Sequence, residues 1–239
     1  MKKAETITGF ECDKTNPVLR FEDVSEKVRA YRGEGKSIFA SSSFQTHSIP
    51  LLHMLARIDA AIPIVFINTG FLFPETLTFR DQIAKRLNLN LVEVKSTVPK
   101  IQQLNSKGSF FFTSDPDRCC HINKVEPLEP MLIRHDVWIS GIRADQTYHR
   151  QSMAIEQKTR QSCLRFHPLL GWSAKMIYEY RMKHDLPEHP LEKHGYLSVG
   201  CEPCTRRLEL QDLRNGRWFG SNKSECGLHT NVSISEETS

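Results

Sequence analysis

Residues 62–70 read IPIVFINTG, and this stretch decides the fold. Ile62, Ile64, Val65, Phe66 and Ile67 form a short apolar run, mostly β-branched, that stops at Thr69-Gly70. That is the pattern of a fully buried strand followed by a turn. Upstream, residues 36–40 (KSIFA) read as another strand, followed by a Ser-rich loop and a helix over about residues 48–59. Downstream, Pro74 opens a helix where its missing N–H does no harm, and Glu75 suits the positive helix end. That helix runs to about Leu87. Residues 90–95 (NLVEVK) and 136–142 (DVWISGI) read as strands, and residues 164–168 as a strand ending in a loop. The helix after it is capped by Ser173, with Met176, Ile177, Tyr180 and Met182 at roughly helical spacing.

Strand–helix–strand repetition predicts an α/β fold with a parallel sheet, because each parallel connection requires a crossover. Ligands of such sheets bind beyond the carboxyl ends of the strands. Three loops fall there, at residues 41–47, 69–73 and 143–150. From about Gly195 the chain is rich in Gly, Cys and Arg with little periodicity. The expected organisation is an α/β domain over residues 1–194 and a Cys-rich C-terminal appendage over residues 195–239 that folds back on it.

The 239 residues are 39% hydrophobic and 25% charged, which excludes a disordered, collagenous or coiled-coil chain. The longest apolar run, residues 60–67, is far short of the roughly 20 residues of a membrane span. No apolar segment follows Lys2 and Lys3 as it would in a signal peptide. A cytoplasmic protein without a membrane partner is expected. Its net charge of +4 is too mild to argue for nucleic acid and serves an anionic small molecule equally well. A homo-oligomer is compatible with the sequence.

Seven cysteines without a secretion signal point to metal binding or catalysis rather than to disulfides. Cys119-Cys120 is a vicinal pair, and Cys201-Glu202-Pro203-Cys204 is a CxxC far along the chain. Adjacent cysteines seldom bridge each other, because the small ring is strained. Read together, the two pairs make one four-thiolate site, suited to a tetrahedral zinc or to an iron–sulfur cluster; the alternative is that the pairs are unrelated. Cys226 stands apart among polar and glycine residues, as a nucleophile or as an inert tail cysteine. Cys12 and Cys163 read as structural.

Taken together, CCHINKVEPL (119–128), GIRADQ (141–146) with Arg150 downstream, GYLSVGCEPCTR (195–206) and ECGLH (225–229) resemble the adenylyl-sulfate (APS) and phosphoadenylyl-sulfate (PAPS) reductases of sulfate assimilation. The resemblance spans about residues 37–229. It implies a nucleotide α-hydrolase-like domain and, because both cysteine pairs are present, a [4Fe–4S] cluster on Cys119, Cys120, Cys201 and Cys204 with APS as substrate. It implies attack by Cys226 on the sulfo group, expelling AMP and leaving an S-sulfocysteine that reduced thioredoxin resolves to sulfite. Lys124, Arg143, Arg150, Arg214 and Arg217 are then expected to offset the substrate's negative charge. Ser41, Ser42 and Ser43 are expected around the adenylate, and Thr69 and Gly70 in contact with the substrate. Arg206 and Arg207 are left between cluster and solvent.

Three departures stand out. The Ser-rich loop lacks the glycine-rich form of ATP-hydrolysing relatives, Asn68 replaces the commoner Asp, and Ala144 replaces an Arg. PAPS reduction, or reduction of both substrates, is the nearest alternative. An ATP-dependent tRNA thiolase and a zinc-stapled nucleic-acid module are more distant ones.

Overall fold

The computed structural model describes residues 16–207 and Leu228. Six strands form one sheet: β1 (Ile38–Ser41), β2 (Pro63–Ile67), β3 (Asn90–Val94), β4 (Val137–Ser140), β5 (Glu156–Lys158) and β6 (Leu164–Phe166). Their order is β3-β2-β1-β4-β6-β5. All neighbours are parallel except β5, which runs antiparallel to β6 at one edge. Each strand expected from sequence is present. The unexpected one, β5, has the sequence Glu-Gln-Lys, whose polar residues suit a sheet edge and carry no strand signal.

Eight α-helices accompany the sheet among the described residues: α1 (Phe21–Gly33), α2 (Ile49–Ile58), α3 (Pro74–Arg86), α4 (Phe111–Ser114), α5 (Pro116–Cys120), α6 (Glu126–Arg134), α7 (Tyr148–Gln151) and α8 (Ala174–Lys183). None is long and apolar enough to cross a membrane. Alternation along the strands splits the core into two layers. Ile38, Ala40, Ile64, Phe66 and Ile139 face α1, α2, α3 and α8, whereas Phe39, Val65 and Trp138 face Leu128 and Leu132 of α6. Ser173 caps α8 as expected, accepting from Met176 N–H at 3.3 Å. Met182, expected on the apolar face of α8, is exposed, and Arg181 takes the buried position one turn after Ile177.

His189 ties the chain after α8 to the helices beneath. Its N–H donates to Thr46 Oγ1 at 2.8 Å, and its Nε2 meets Thr76 Oγ1 at 3.0 Å. Burial lowers its pKa to about 4, against a smaller opposing pull from Glu75. The unfolded chain would protonate it near 6.5, so between those values the unfolded state binds the extra proton. This contribution to stability is complete above about pH 6.5 and is lost as pH falls toward 4. His189→Gln is expected to flatten the decline of the urea midpoint over that interval, and a slope identical to wild type would contradict the assignment.

Candidate active site

The chain leaves β1 and β4 toward opposite sides of the sheet, although Ser41 and Ser140 lie side by side in register at their ends. This switch point opens a crevice, the place where such sheets bind ligands. A cavity of about 500 Å³ lies there, within the range of small-molecule sites. Ser41, Ser42, Ser43, Thr69, Lys124, Arg143 and Arg150 all line it, whereas Gly70 is not among its lining residues.

The serines differ in what they do. Ser41 Oγ accepts from Trp138 Nε1 at 2.8 Å, Ser42 Oγ accepts from Phe44 N–H at 3.0 Å, and Ser43 is exposed. The loop turns at Phe44 rather than at a glycine. Its φ is +54, a region that costs a non-glycine residue about 1–2 kcal/mol. Complete burial of its ring against Phe66 holds it there. At the end of β2, Asn68 Oδ1 accepts from Gly70 N–H at 3.0 Å, so the amide makes the turn that a carboxylate would make. Gly70 has φ +72, which favours glycine.

Neighbouring side chains orient the two arginines. Arg143 is buried and bonds Asp145 through Nε at 2.9 Å and Nη2 at 3.3 Å, while Asp145 also accepts from Ala174 N–H at 3.1 Å. Arg150, also buried, donates to the Gln146 amide oxygen. Lys124 belongs to a π-helical segment, His121–Val125, in which Glu126 N–H reaches His121 O, five residues back. Pro127 explains the wider turn, because it has no N–H to offer Asn123 O four residues earlier.

A second, small cavity is lined by all four expected cysteines, Cys119, Cys120, Cys201 and Cys204. None of them is in a disulfide. Thr69, Lys124 and Cys201 line both cavities and form the wall between them. Glu202 N–H donates to Phe71 O at 2.7 Å, and Thr205 Oγ1 closes the CxxC turn by donating to Cys201 O at 2.8 Å. Thr69 Oγ1 and Cys201 Sγ are 3.2 Å apart. Burial first, and then Cys201, raise the Cys119 thiol pKa to about 11. Among the described residues, no three His, Cys, Asp or Glu side chains converge on the position of a single ion.

Residues 37–207 match the family model of the phosphoadenosine phosphosulfate reductase domain. The chain belongs to this family. Adenosine 5'-phosphosulfate reductase of Chelativorans sp. (strain BNC1) is 38% identical over 93% of this chain and 91% of its own length. Phosphoadenosine 5'-phosphosulfate reductase of Gloeobacter violaceus is 36% identical over 86% of each. In fold, the chain is similar to a crystal structure of phosphoadenylyl-sulfate (PAPS) reductase from Candida auris. The TM-score is 0.63 and the identity 19%, over 74% of this chain and 87% of that one.

Three polar residues in this family member escape a motif reading, Arg165 and Arg181 buried and Glu192 half-buried. Arg165 on β6 is fully buried, with its guanidinium 4.0 Å from the Trp138 ring centre. It donates to Leu228 O at 3.2 Å and to Ser140 Oγ at 3.4 Å. Arg181 and Glu192 line the large cavity. Arg207 Nε donates to His194 O at 2.6 Å and Arg206 Nη1 to Thr205 O at 3.3 Å, so both brace local backbone. Cys226, Arg214, Arg217 and Cys12 lie outside the described residues. Cys163 is buried with its thiol pKa pushed up to about 12 by burial, in keeping with an inert core cysteine.

Asn123 braces the first cysteine pair. Its Nδ2 donates to Cys119 O at 2.9 Å, and its amide pairs reciprocally with Gln103, equally buried, at 2.9 and 2.6 Å. Asn123→Leu strands the Gln103 amide and is expected to cost about 1–3 kcal/mol in urea unfolding. The double variant with Gln103→Leu should recover part of that loss, and strictly additive losses would contradict the coupling.

Proposed function

We propose that this chain is an assimilatory adenylyl-sulfate reductase, an oxidoreductase that converts adenosine 5'-phosphosulfate to sulfite and AMP. The observation that carries the reading is the shared wall of Thr69, Lys124 and Cys201, which sets an arginine-lined cavity against four thiols. A phosphosulfate brings several negative charges toward an anionic thiolate, and preset cations are what such an approach needs. Lys124, Arg143 and Arg150 fill that role, with Arg214 and Arg217 completing it from the C-terminal segment. Ser41, Ser42 and Ser43 shape the adenylate end, and the turn at Gly70 sets Thr69 in the wall beside Cys201.

Cys226 is the nucleophile. Its thiolate forms a bond to the sulfo sulfur while the bond from that sulfur to the phosphate oxygen breaks, and AMP leaves with the electron pair. A thiolate of reduced thioredoxin then attacks Cys226 Sγ and expels sulfite. The second thioredoxin thiol breaks the mixed disulfide and returns Cys226 as a thiol, so thioredoxin supplies both electrons. Leu228, two residues beyond Cys226, lines the cavity, and two residues of chain reach at most about 7 Å. The CxxC segment and the catalytic tail, residues 195–239, act on the α/β domain formed by residues 1–194. A cytoplasmic location keeps all these thiols reduced.

The residues present suit a [4Fe–4S] cluster. Cys119, Cys120, Cys201 and Cys204 share one cavity, and burial together with the neighbouring Cys201 disfavours the Cys119 thiolate unless a cation offsets it. Such a cluster, net negative with its four thiolates, would tie the 119–120 pair to the CxxC turn, with the Lys124 ammonium beside it to offset its charge.

Sulfite release from APS, dependent on reduced thioredoxin, tests the activity. Cys226→Ser should abolish it and leave AMP binding within about threefold of wild type; sulfite formed by that variant would contradict the nucleophile. Cys120→Ala should lose bound iron and activity together, and a full iron complement in it would contradict the four-thiolate site. PAPS reduction is the second reading, favoured by the name of the Gloeobacter relative.

A further inference from the structure

Relatives of similar identity carry APS and PAPS in their names, so the choice between a free and a phosphorylated 3'-hydroxyl must be read from side chains of this chain. This inference rests on the function proposed above. Lys124, Thr69 and Cys201 mark the cysteine side of the large cavity, where the sulfo group belongs. Thr46, Arg181 and Glu192 line the large cavity alone. They come from the turn before α2, the last turn of α8 and the 3-10 turn Pro190–His194.

A carboxylate in an anion-binding cavity is out of place unless it faces donors. Thr46 hydrogen-bonds the Glu192 carboxylate while accepting from His189 N–H, so the carboxylate is held at the wall. Arg181 has 6% of its surface exposed, its Nε makes no hydrogen bond among the described residues, and its Nη2 lies 3.7 Å from Glu188. An isolated buried arginine would invite a phosphate. Here Glu188 and Glu192 set two carboxyl groups against one guanidinium, a formal charge of −1 when both are ionised; burial pushes the Glu192 carboxyl up, the Thr46 hydrogen bond and Arg181 pull it back, and buried His189 adds no cation. A 3'-phosphate, with a charge near −2, meets net repulsion there, whereas ribose hydroxyls meet an acceptor.

We infer that Glu192 is a specificity-determining residue that reads the ribose, accepting from its hydroxyls and excluding a 3'-phosphate, so that the chain selects APS over PAPS. The test compares AMP with adenosine 3',5'-bisphosphate by equilibrium binding to wild type, Glu192→Gln and Glu192→Asp, alongside kcat/KM for APS and PAPS. Wild type should prefer AMP. Glu192→Gln should bind the bisphosphate about tenfold or more tightly than wild type does while AMP binds no more tightly, and Glu192→Asp should keep the wild-type preference. The kcat/KM ratio should shift toward PAPS by a similar factor. Parallel changes for both nucleotides, or an unchanged bisphosphate affinity, would overturn the inference. If wild type reduces neither substrate the proposed activity fails, while the two binding constants still decide the role of Glu192. Absence of nucleotide binding to wild type would overturn both.

Discussion

The parting of the chain at β1 and β4 is the constraint on which the site depends. Two strands locked in parallel register, with Ser41 beside Ser140, send their following segments to opposite sides and leave a crevice that neither can fill. The segments that reach it, the 41–47 loop, the turn after β2 and the Arg143–Arg150 stretch, bring short polar side chains and cations. The CxxC turn docks on one of them through the backbone bond from Glu202 to Phe71, which places Cys201 beside Thr69. The cysteine cavity is therefore a consequence of the same crevice.

Burying these cations has a cost, since a buried unpaired charge is expensive. The chain meets it with partners that set orientation: Asp145 for Arg143, Gln146 for Arg150 and Glu188 for Arg181. Gln146 orients Arg150 through its amide oxygen, whereas Asp145 holds Arg143 through both carboxylate oxygens. Lys124 gains its place from a backbone irregularity. The π segment before Pro127 sets the lysine between the two cavities, and Asn123 on the same turn pins the first cysteine pair.

Much of this was legible in the sequence. Runs such as IVFI and VWIS announce buried parallel strands, and the paired cysteines with their flanking motifs carry the family. The polar edge strand β5 was silent because only its partner β6 makes Glu-Gln-Lys extended. Helix α1 went unassigned although Val24, Val28 and Tyr31 keep helical spacing and are buried. The buried cations were harder. Met182 and Arg181 are neighbours on α8, and only packing against the sheet decides that the arginine turns inward. Arg165 lies in a strand whose register against Trp138 appears only once the sheet is assembled. Glu192 reads as one more charge in a polar turn until the cavity above it is seen.

The most direct measurement is peptide mass analysis of anaerobically purified protein mixed separately with APS and PAPS in the absence of reductant. The account predicts a sulfo adduct confined to Cys226, formed with APS and released as sulfite when reduced thioredoxin is added. A cluster-loaded protein that forms no adduct with either nucleotide would contradict thiol attack.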